Sequence, residues 1–242
     1  RSGSRVARAM RCLVLAGGYG TRMQGILGER PKALADIQGR CVLDRLLDGL
    51  SPLVSQVSLV SNARFYPLFE AWAARSPHSV QLFNNGSTQA DNRLGALGDL
   101  DLLLSKIGYD APALVVASDT VIDFSLSGLL QQFQRTGFSQ LAVRRNSDPA
   151  DQRRRGVVQL DAEQRVIAFQ EKPEHPESDI AASPIYLLTP EALARLPSYL
   201  AEGRPKDAPG SFIETLCQEQ RVEGWWMPGA LFDVGNPESY QA

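Results

Sequence analysis

The chain contains a glycine-rich stretch near its start whose residue types are suited to binding phosphate. An apolar run of strand type leads into Leu15-Ala16-Gly17-Gly18-Tyr19-Gly20-Thr21-Arg22. Glycines allow the backbone to approach a ligand closely and to adopt positive φ, and consecutive backbone N–H groups then converge on an anion. Arg22 adds one cation, and Lys32, in the segment Arg30-Pro31-Lys32-Ala33-Leu34, adds another. Together these residues predict a polyphosphate site.

The spacing of the glycines excludes two well-known phosphate-binding loops. The stretch lacks the Gly-Lys-Ser/Thr ending of a P-loop. Its glycines follow the pattern Gly-Gly-x-Gly, whereas a dinucleotide-binding fold has Gly-x-Gly-x-x-Gly. The alternative is a tight turn that binds nothing, and the downstream pair Pro31-Lys32 favours the phosphate site over it.

An aspartate follows the most apolar strand that the sequence predicts. Ala113-Leu114-Val115-Val116-Ala117 leads into Ser118-Asp119, and a carboxylate at the end of a buried strand requires a cation or hydrogen-bond donors. Mg²⁺ is the expected cation, since it binds through one or two carboxylates together with substrate phosphates. Asp119 would otherwise cap a following helix, a role for which Asp123 is better placed and which therefore leaves Asp119 to the metal.

These segments resemble the signature of the sugar-phosphate nucleotidylyltransferases, which join a nucleoside triphosphate (NTP) to a sugar 1-phosphate and release pyrophosphate. The glycine-rich stretch, continued to Met23, and the segment Pro31-Lys32-Ala33-Leu34 carry the first part of the resemblance. Glu171-Lys172-Pro173 and Phe232-Asp233-Val234-Gly235-Asn236-Pro237 follow in the family's order, so that the resemblance covers nearly the whole chain. It implies an Mg²⁺-dependent nucleotidyltransferase with two small-molecule substrates.

The resemblance implies roles for residues on the nucleotide side. The N–H groups of the glycine turn and Arg22 would hold the β- and γ-phosphates, and Lys32 would stabilise charge at the α-phosphate. Leu94 and Gly95 lie in a polar loop that follows a predicted strand, and they would contact the nucleobase. The alternative for this loop is an ordinary surface segment, with Gly98 aiding helix packing.

On the acceptor side, the resemblance assigns sugar hydroxyls to Glu171 and the phosphate of the sugar 1-phosphate to Lys172. Both roles suit a carboxylate acceptor and a point charge, although Glu and Lys in isolation more often mark a solvated strand end. Tyr186 and Asp119 complete the expected substrate-binding set. Asp119 and Asp233 would be the two Mg²⁺ ligands. The catalytic residues would then be Arg22, Lys32 and Lys172.

Two further functions stay open at the level of the sequence. One is cytidylyl transfer to a non-sugar phosphate or phosphonate, which uses the same framework. The other is a non-catalytic regulatory protein that binds nucleotide sugars, against which the intact set of charged residues argues. The sequence departs from the family pattern at Ser118, where a glycine is usual, and at Asn236, where a threonine is usual.

The elements that must position these residues indicate an α/β fold. The predicted strands and helices alternate as in a βαβαβ unit, and ligands in such sheets bind beyond the carboxyl ends of the strands. We therefore expect a Rossmann-like (GT-A-like), mixed and mainly parallel central sheet flanked by helices, with a small antiparallel sugar-binding subsheet. Hydrophobic periodicity places the first strands at 12–16, 56–61, 80–83 and 113–117 and the helices between them at 42–50, 67–74 and 97–107.

The later part of the chain predicts more irregular structure. Residues 156–160 and 165–169 are expected to form the antiparallel pair, and 148–155 a charged loop. A single amphipathic helix is expected over 190–200. The tandem Trp225-Trp226 is expected in a buried strand that covers the sheet, although tryptophans could also stack on a base.

Composition limits the remaining possibilities. A chain of 242 residues with a net charge of -2 and mixed signs fits one large domain and lacks the basic face of a nucleic-acid binder. The three cysteines, Cys12, Cys41 and Cys217, are too widely spaced for a disulfide framework or a zinc site, and we expect free thiols in a cytoplasmic protein. No apolar run approaches the roughly 20 residues of a membrane span, so no membrane partner is expected. A homo-oligomer is left open.

The expected domain organisation is simple. Residues 1–9 are basic and small, without the apolar region of a signal peptide, and are expected to be a leader or tag before Met10. Residues 10–242 are expected to form a single nucleotidylyltransferase domain. A C-terminal oligomerisation or acyltransferase domain is not expected after Tyr240.

Overall fold

The structure, a computed structural model, describes residues 10–21 and 24–234 of the chain. Its strands are β1 (Arg11–Ala16), β2 (Asp36–Ile37), β3 (Arg40–Cys41), β4 (Gln56–Ser61), β5 (Gln81–Asn84), β6 (Ala113–Ala117), β7 (Thr120–Ile122), β8 (Ser139–Arg145), β9 (Gly156–Leu160), β10 (Val166–Glu171), β11 (Ile180–Leu188), β12 (Val222–Trp226) and β13 (Leu231–Asp233). Its α-helices are α1 (Gln24–Leu27), α2 (Val42–Leu50), α3 (Tyr66–Ala73), α4 (Ala96–Ile107), α5 (Ser127–Thr136), α6 (Pro149–Gln152), α7 (Pro190–Ala194), α8 (Leu196–Ala201) and α9 (Pro209–Glu219). Short 3₁₀ helices occupy Lys32–Leu34, Ser51–Leu53 and Ala90–Asn92.

A four-stranded parallel unit forms the centre of the main sheet. Its strands run in the order β5-β4-β1-β6, with β1 parallel to both β4 and β6 and β4 parallel to β5. Helices α2, α3 and α4 connect these strands, as expected of a doubly wound sheet. The predicted mixed α/β fold is confirmed, with its first strands and helices within about one residue of the expected bounds.

Strand β11 joins this parallel unit to the rest of the sheet. Its second half pairs antiparallel with β6, and its first half pairs with β9, which in turn pairs with β10. Strand β8 also pairs with β11, and β12 pairs with β8. The register of β11 against β8 shifts between Ala182 and Tyr186, around Pro184, which has no N–H to donate.

The central strands are buried on both faces. In β1, Cys12, Val14 and Ala16 pack in one hydrophobic core, while Leu13 and Leu15 pack in the other. Successive strand side chains point to opposite faces, so the sheet separates two cores. The core that contains Cys12, Val14 and Ala16 is closed by α2, α3 and α5, and the core that contains Leu13 and Leu15 is closed by α4, α7, α8 and α9. This double burial explains why the central strands read as nearly continuous apolar runs.

Two predictions for the later chain are wrong in detail. The segment 148–155 contains α6, whose N-cap Asp148 accepts a hydrogen bond from the Ala150 N–H, and Asp151 forms ion pairs with Arg144 and Arg155. The helix expected over 190–200 is divided into α7 and α8, because the proline within Leu196–Ala201 lacks the N–H that a continuous helix would need.

Two other expectations are corrected by the local surroundings of the residues concerned. The expected helix-capping role of Asp123 is wrong, because the following helix, α5, has Leu126 at its N-cap and the Asp123 carboxylate accepts a hydrogen bond from the Ala230 N–H at 2.7 Å. The alternative of a capping role for Asp119 is not seen either, since Asp119 is followed by β7. The tandem tryptophans lie in β12, where Trp225 is buried while Trp226 is 37 % exposed and donates to Gln164. The alternation of a strand therefore buries one ring only.

In the part of the chain that the structure describes, no helix is both long enough and apolar enough to cross a bilayer.

Candidate active site

The carboxyl ends of the parallel strands meet at one edge of the sheet. Leu15 of β1 lies opposite Ala117 of β6, so the glycine turn and the Ser118-Asp119 turn leave the sheet side by side. On the other side of β1, β4 and β5 end together, with Ser61 opposite Asn84. This edge is the place where open α/β sheets bind ligands, and it gathers most of the residues that the sequence singled out.

A buried asparagine holds the glycine turn in place. Asn62, which follows β4, is fully buried, and its Nδ2 donates to the carbonyl oxygens of Gly17 at 3.1 Å and Gly18 at 3.4 Å. Its Oδ1 accepts from the N–H of Phe65 at 2.9 Å. The bonds fix the turn and occupy two carbonyl oxygens that would otherwise repel an anion. The sequence offers no sign of this role beyond a polar residue at a strand end.

A small cleft of about 110 Å³ lies between the glycine turn and the start of Lys32–Leu34. Lys32 Nζ is 3.4 Å from Asp119 Oδ2 across this cleft. Gly20 has a φ of 58°, a backbone conformation that favours glycine, and the stem of Lys32 packs beside it. The cleft is lined by Leu15, Ala16, Gly18, Gly20, Pro31, Lys32, Ala33, Phe69, Ser118 and Asp119.

The expected metal pair is only partly described. Arg22 and the segment from Gly235 onward lie outside the described residues, and so does the side chain of Asp233. The backbone of Asp233 is described, and it pairs with Thr120, next to Asp119. The N–H of Val234 donates to the Asp119 carbonyl at 3.1 Å. The fold therefore places residues 119 and 233 at the same point of the rim.

A larger cavity of about 470 Å³ extends from the glycine turn to the end of β10. Its lining includes Gly17, Gly18 and Asp99 from the first part of the chain and Lys172 and Tyr186 from the later part. Residues separated by more than 150 positions in the sequence therefore share one cavity. Its remaining lining residues are Leu15, Arg93, Gly95, Ala96, Val115, Val116, Ala117, Pro184, Asp207 and Pro209.

Strand β10 ends at the acidic residue Glu171, and the next residue, Lys172, lines the larger cavity. Lys172 has a φ of 49°, a conformation that is uncommon for a residue other than glycine. Its N–H donates to the Arg155 carbonyl, which holds the turn. Burial raises the pKa of Glu171, and the nearby ammonium of Lys172, at 3.8 Å, partly opposes that shift. A Cβ at Gly210 of α9 would overlap Glu171 Oε2, so the position of the carboxylate depends on this glycine.

The predicted base-contacting pair is divided between two surfaces. Gly95 lines the larger cavity, with a φ of 82°. Leu94 lines a separate cleft on the outer side of α4. Arg93 pairs with Asp207 at 3.2 Å, which ties this loop to the segment before α9.

Tyr186 is buried in the wall near Glu171, and burial raises the pKa of its phenol. Thr21 is exposed at the end of the glycine turn.

A buried polar network, which the sequence does not indicate, lies beneath the glycine turn. Asp99 of α4 is 4 % exposed, and its Oδ1 accepts a hydrogen bond from Asn85 Nδ2 at 2.6 Å. Asn85 Oδ1 accepts from the N–H and the hydroxyl of Ser87, and that hydroxyl lies 3.0 Å from the Tyr19 hydroxyl. A Cβ at Gly17 would overlap Asp99 Oδ2. In the sequence, the one indication of this network is an acidic residue, Asp99, on the apolar face of a predicted helix.

The environment of Asp99 changes its ionisation. Burial raises the pKa of its carboxyl group to about 6, and the hydrogen bond from Asn85 opposes that shift without cancelling it. The net rise of the pKa matters because a buried carboxylate is costly unless hydrogen-bond donors satisfy it. Asp99 is therefore held in an environment that favours binding of additional donors.

Comparison with known sequences identifies a family. The sequence profile of the nucleotidyl transferase family matches residues 11–242. The mannose-1-phosphate guanylyltransferase catalytic subunit beta of Drosophila pseudoobscura is 26 % identical over 239 residues, which are 97 % of this chain and 62 % of that protein. The bifunctional protein GlmU of Methanocaldococcus jannaschii is 23 % identical over 94 % of this chain and 52 % of its own length. The chain thus spans half to under two thirds of the length of these relatives.

Solved structures share the fold. UDP-glucose pyrophosphorylase complexed with UDP-glucose superimposes with a TM-score of 0.79 at 18 % identity, covering 96 % of this chain and 95 % of that one. The UTP-bound UGPase from Acinetobacter baumannii gives a TM-score of 0.77 at 17 % identity, with coverages of 96 % and 90 %. At these identities the likeness concerns the arrangement of the sheet and helices.

Proposed function

The chain belongs to the nucleotidyl transferase family, and we propose that it transfers the nucleotidyl group of an NTP to a sugar 1-phosphate. An oxygen of the acceptor phosphate attacks the α-phosphorus, the bond from that phosphorus to the oxygen bridging it to the β-phosphorus breaks, and pyrophosphate leaves. The observation that carries this proposal is the single cavity that joins the glycine turn to Lys172.

The nucleotide end of the site would neutralise the triphosphate. The backbone N–H groups of the glycine turn would face the β- and γ-phosphates, with Arg22 beside them. Lys32 lines the small cleft together with the glycine turn, with its Nζ 3.4 Å from Asp119 Oδ2. It would stabilise charge that develops at the α-phosphate. Gly95 would lie beside the nucleoside.

The acceptor end would orient the nucleophile. Lys172 would bind the acceptor phosphate as a point charge, and Glu171 would accept hydrogen bonds from acceptor hydroxyls. Tyr186 lines the same cavity as Lys172. Because a phosphate oxygen is already nucleophilic, the main task of these residues is to hold it in line with the α-phosphorus.

A divalent cation, expected to be Mg²⁺, fits the residues at the rim. Among the side chains that the structure describes, no three His, Cys, Asp or Glu residues form a metal cluster, and a site built with substrate phosphates needs only one or two carboxylates. Asp119 offers hard oxygen ligands at 26 % side-chain exposure, and Asp233 is its neighbour through the backbone. When bound, the ion would neutralise phosphate charge.

The acceptor class is supported by the relatives. They include mannose-1-phosphate guanylyltransferases, and the structures sharing the fold include UDP-glucose pyrophosphorylase. These names describe enzymes that act on hexose 1-phosphates or make their nucleotide derivatives. We extend to this chain the shared class, a sugar 1-phosphate.

The location of the protein is also a proposal. Cys12, Cys41 and Cys217 are free thiols, and burial raises the pKa of Cys12 to about 12 and that of Cys41 to about 11. Unpaired cysteines are typical of a reducing compartment, and we propose the cytoplasm, which also suits NTP substrates. Fractionation of cells that carry a tagged chain would test the location.

A pyrophosphate-release assay over a grid of NTPs and sugar 1-phosphates tests the proposed function. We expect release with at least one pair, dependent on both substrates and on Mg²⁺. The Asp119→Asn variant, which keeps the shape of the side chain, should fold and lose most of this activity. Release from NTP alone, or equal release with and without the metal, would contradict the proposal.

A further inference from the structure

Asp99 is an acidic residue in a buried position whose neighbours along the helix are apolar. It lies in the first turn of α4, where its neighbours Leu97 and Leu100 are fully buried, and it is itself 4 % exposed. It nevertheless lines the larger cavity, beside Gly17, Gly95 and Ala96. A carboxylate that is buried in the protein but faces a cavity is available to a ligand inside that cavity.

The hydrogen bonds of this carboxylate are incomplete. Among the residues that the structure describes, its only hydrogen-bond donor is Asn85 Nδ2, which binds Oδ1 at 2.6 Å. An ionised carboxylate has about four acceptor positions over its two oxygens, so Oδ2 and part of Oδ1 have capacity left. Gly17 leaves room for Oδ2, since any Cβ there would overlap it.

The group that holds Asp99 is itself fixed. Asn85 Oδ1 accepts hydrogen bonds of 2.9 Å from both the N–H and the hydroxyl of Ser87, so its amide nitrogen is turned toward Asp99. The Ser87 hydroxyl also contacts the Tyr19 hydroxyl of the glycine turn at 3.0 Å. The network therefore orients the carboxylate before any ligand binds, which lowers the entropic cost of recognition.

We propose that Asp99 recognises the nucleobase by accepting two of its N–H donors, and that the pocket therefore selects guanine. This inference rests on the proposed function, because it takes the larger cavity to be the place of the nucleoside. The glycine turn lines both the small phosphate cleft and this cavity, through Gly18. An NTP with its phosphates in the cleft would have its base within reach of the cavity wall that contains Asp99.

The donor pattern of the bases decides the preference. The pairing edge of guanine presents two adjacent donors, the ring N1–H and the exocyclic amino group, to which both oxygens of a carboxylate are matched. Uracil and thymine present one N–H between two carbonyl oxygens, and those oxygens would face the carboxylate. Adenine and cytosine present an amino group beside a ring nitrogen acceptor. A site built for paired donors rejects bases that leave it unpaired.

Ionisation of Asp99 is compatible with this role. Burial raises the pKa of its carboxyl group to about 6, so the group is ionised in assays at pH 8 and acts as an acceptor through both oxygens. Guanine would supply donors that Asn85 alone does not. Hydrogen bonds to charged groups are about twice as strong as those between neutral groups.

Equilibrium binding of nucleotides tests the inference without requiring turnover. For the wild-type chain, titration calorimetry should show GTP binding at least about tenfold more tightly than ITP, whose base lacks the exocyclic amino group, and about a hundredfold more tightly than UTP, CTP or ATP. In the Asp99→Asn variant, the amide presents one donor and one acceptor. It should lose the preference for GTP and favour XTP, which has a carbonyl in place of the amino group.

A second acid on the same helix provides the control. Asp101 lies on the other side of α4, where it accepts a hydrogen bond from the Tyr109 hydroxyl at 2.7 Å, and Asp101→Asn removes the same charge without touching the cavity. This variant should keep the order of nucleotide affinities. Should Asp99→Asn fail to fold, the affinities of the wild-type chain for GTP and ITP still test whether the exocyclic amino group of guanine is recognised.

The outcomes separate this inference from the proposed function. Equal affinity for GTP and ITP, or a stronger preference for another NTP that survives Asp99→Asn, would overturn the role of Asp99 and leave nucleotidyl transfer standing. Absence of binding by any NTP would overturn both. A preference for GTP that shifts to XTP in the variant would support the inference.

Discussion

At the scale of single residues, the site depends on polar groups brought together from distant parts of the sequence. The sequence predicts that Lys32 and Asp119 meet around one triphosphate, and they lie 3.4 Å apart. It does not predict Asp99, because the environment of that residue comes from Gly17 and Asn85, and no local pattern reports a contact of that kind. A sequence pattern indicates the types of residue at a rim but not which buried acid faces it.

Replacing the buried charge should raise stability. In the folded chain, burial raises the pKa of Asp99 to about 6 from an ordinary value of 3.8, so the ionised form opposes folding and this cost appears as the pH rises through that interval. Asp99→Asn should therefore increase the free energy of unfolding at pH 8 by about 1–3 kcal/mol. The gain should shrink as the pH falls below 6, which urea unfolding of both proteins at pH 8 and pH 5 would measure. An unchanged gain at pH 5 would refute the buried charge as its cause.

Two adjacent glycines provide a matched pair of substitutions. A Cβ at Gly17 would overlap the Asp99 carboxylate, whereas a Cβ at Gly18 meets nothing within 4 Å. Gly17→Ala should lower the free energy of unfolding by about 1–3 kcal/mol, and Gly18→Ala should change it by less than about 0.5 kcal/mol. Thermal unfolding of the three proteins tests this. Equal effects of the two substitutions would mean that the contact with Asp99 is not close.

At the scale of elements, the acceptor end is made where β10 meets α9. Glu171 ends the strand, and Gly210 in the first turn of the helix leaves the space that its carboxylate fills. The strand and the helix can both be predicted from their own patterns. Their contact cannot, and neither can the register shift in β11 around Pro184, because both depend on how separate elements pack.

Helical glycines at two places should respond in opposite ways to alanine. Gly49 lies in α2 with nothing within 4 Å of an added Cβ, so Gly49→Ala should stabilise the protein by about 0.5–1 kcal/mol through helix propensity. Gly210→Ala would gain the same propensity but displace Glu171. It should raise the KM for the acceptor by about tenfold and leave the KM for the NTP unchanged. Steady-state kinetics with each substrate varied would show this, and a higher KM for both substrates would contradict it.

At the scale of the whole molecule, the sheet brings an NTP end and an acceptor end into one cavity. The parallel unit β5-β4-β1-β6 carries the glycine turn and Asp119, and β10, reached through β11 and β9, carries Lys172. The parallel unit could be predicted from apolar runs that are buried on both faces. The position of the later strands could not, because β11 pairs with β6, β8 and β9 along different parts of its length.

Substitutions at the nucleotide end and at the acceptor end of the cavity should change different kinetic parameters. Lys172→Met removes the charge at the acceptor end and should raise the KM for the sugar 1-phosphate by about tenfold or more, with little change in the KM for the NTP. Lys32→Met removes the charge at the cleft beside Asp119 and should lower kcat by about a hundredfold. Initial rates with both substrates varied would distinguish the two variants. Identical kinetic defects would contradict the assignment of the lysines to separate ends.

The most direct test of nucleotidyl transfer follows the α-phosphorus itself. The chain is incubated with Mg²⁺, an NTP labelled at the α-phosphorus and a sugar 1-phosphate, and the label is followed together with pyrophosphate. We predict that the label appears in a nucleoside diphosphate sugar, in a one-to-one ratio with pyrophosphate released. Pyrophosphate accompanied by labelled nucleoside monophosphate, or label that never joins the acceptor, would contradict the account.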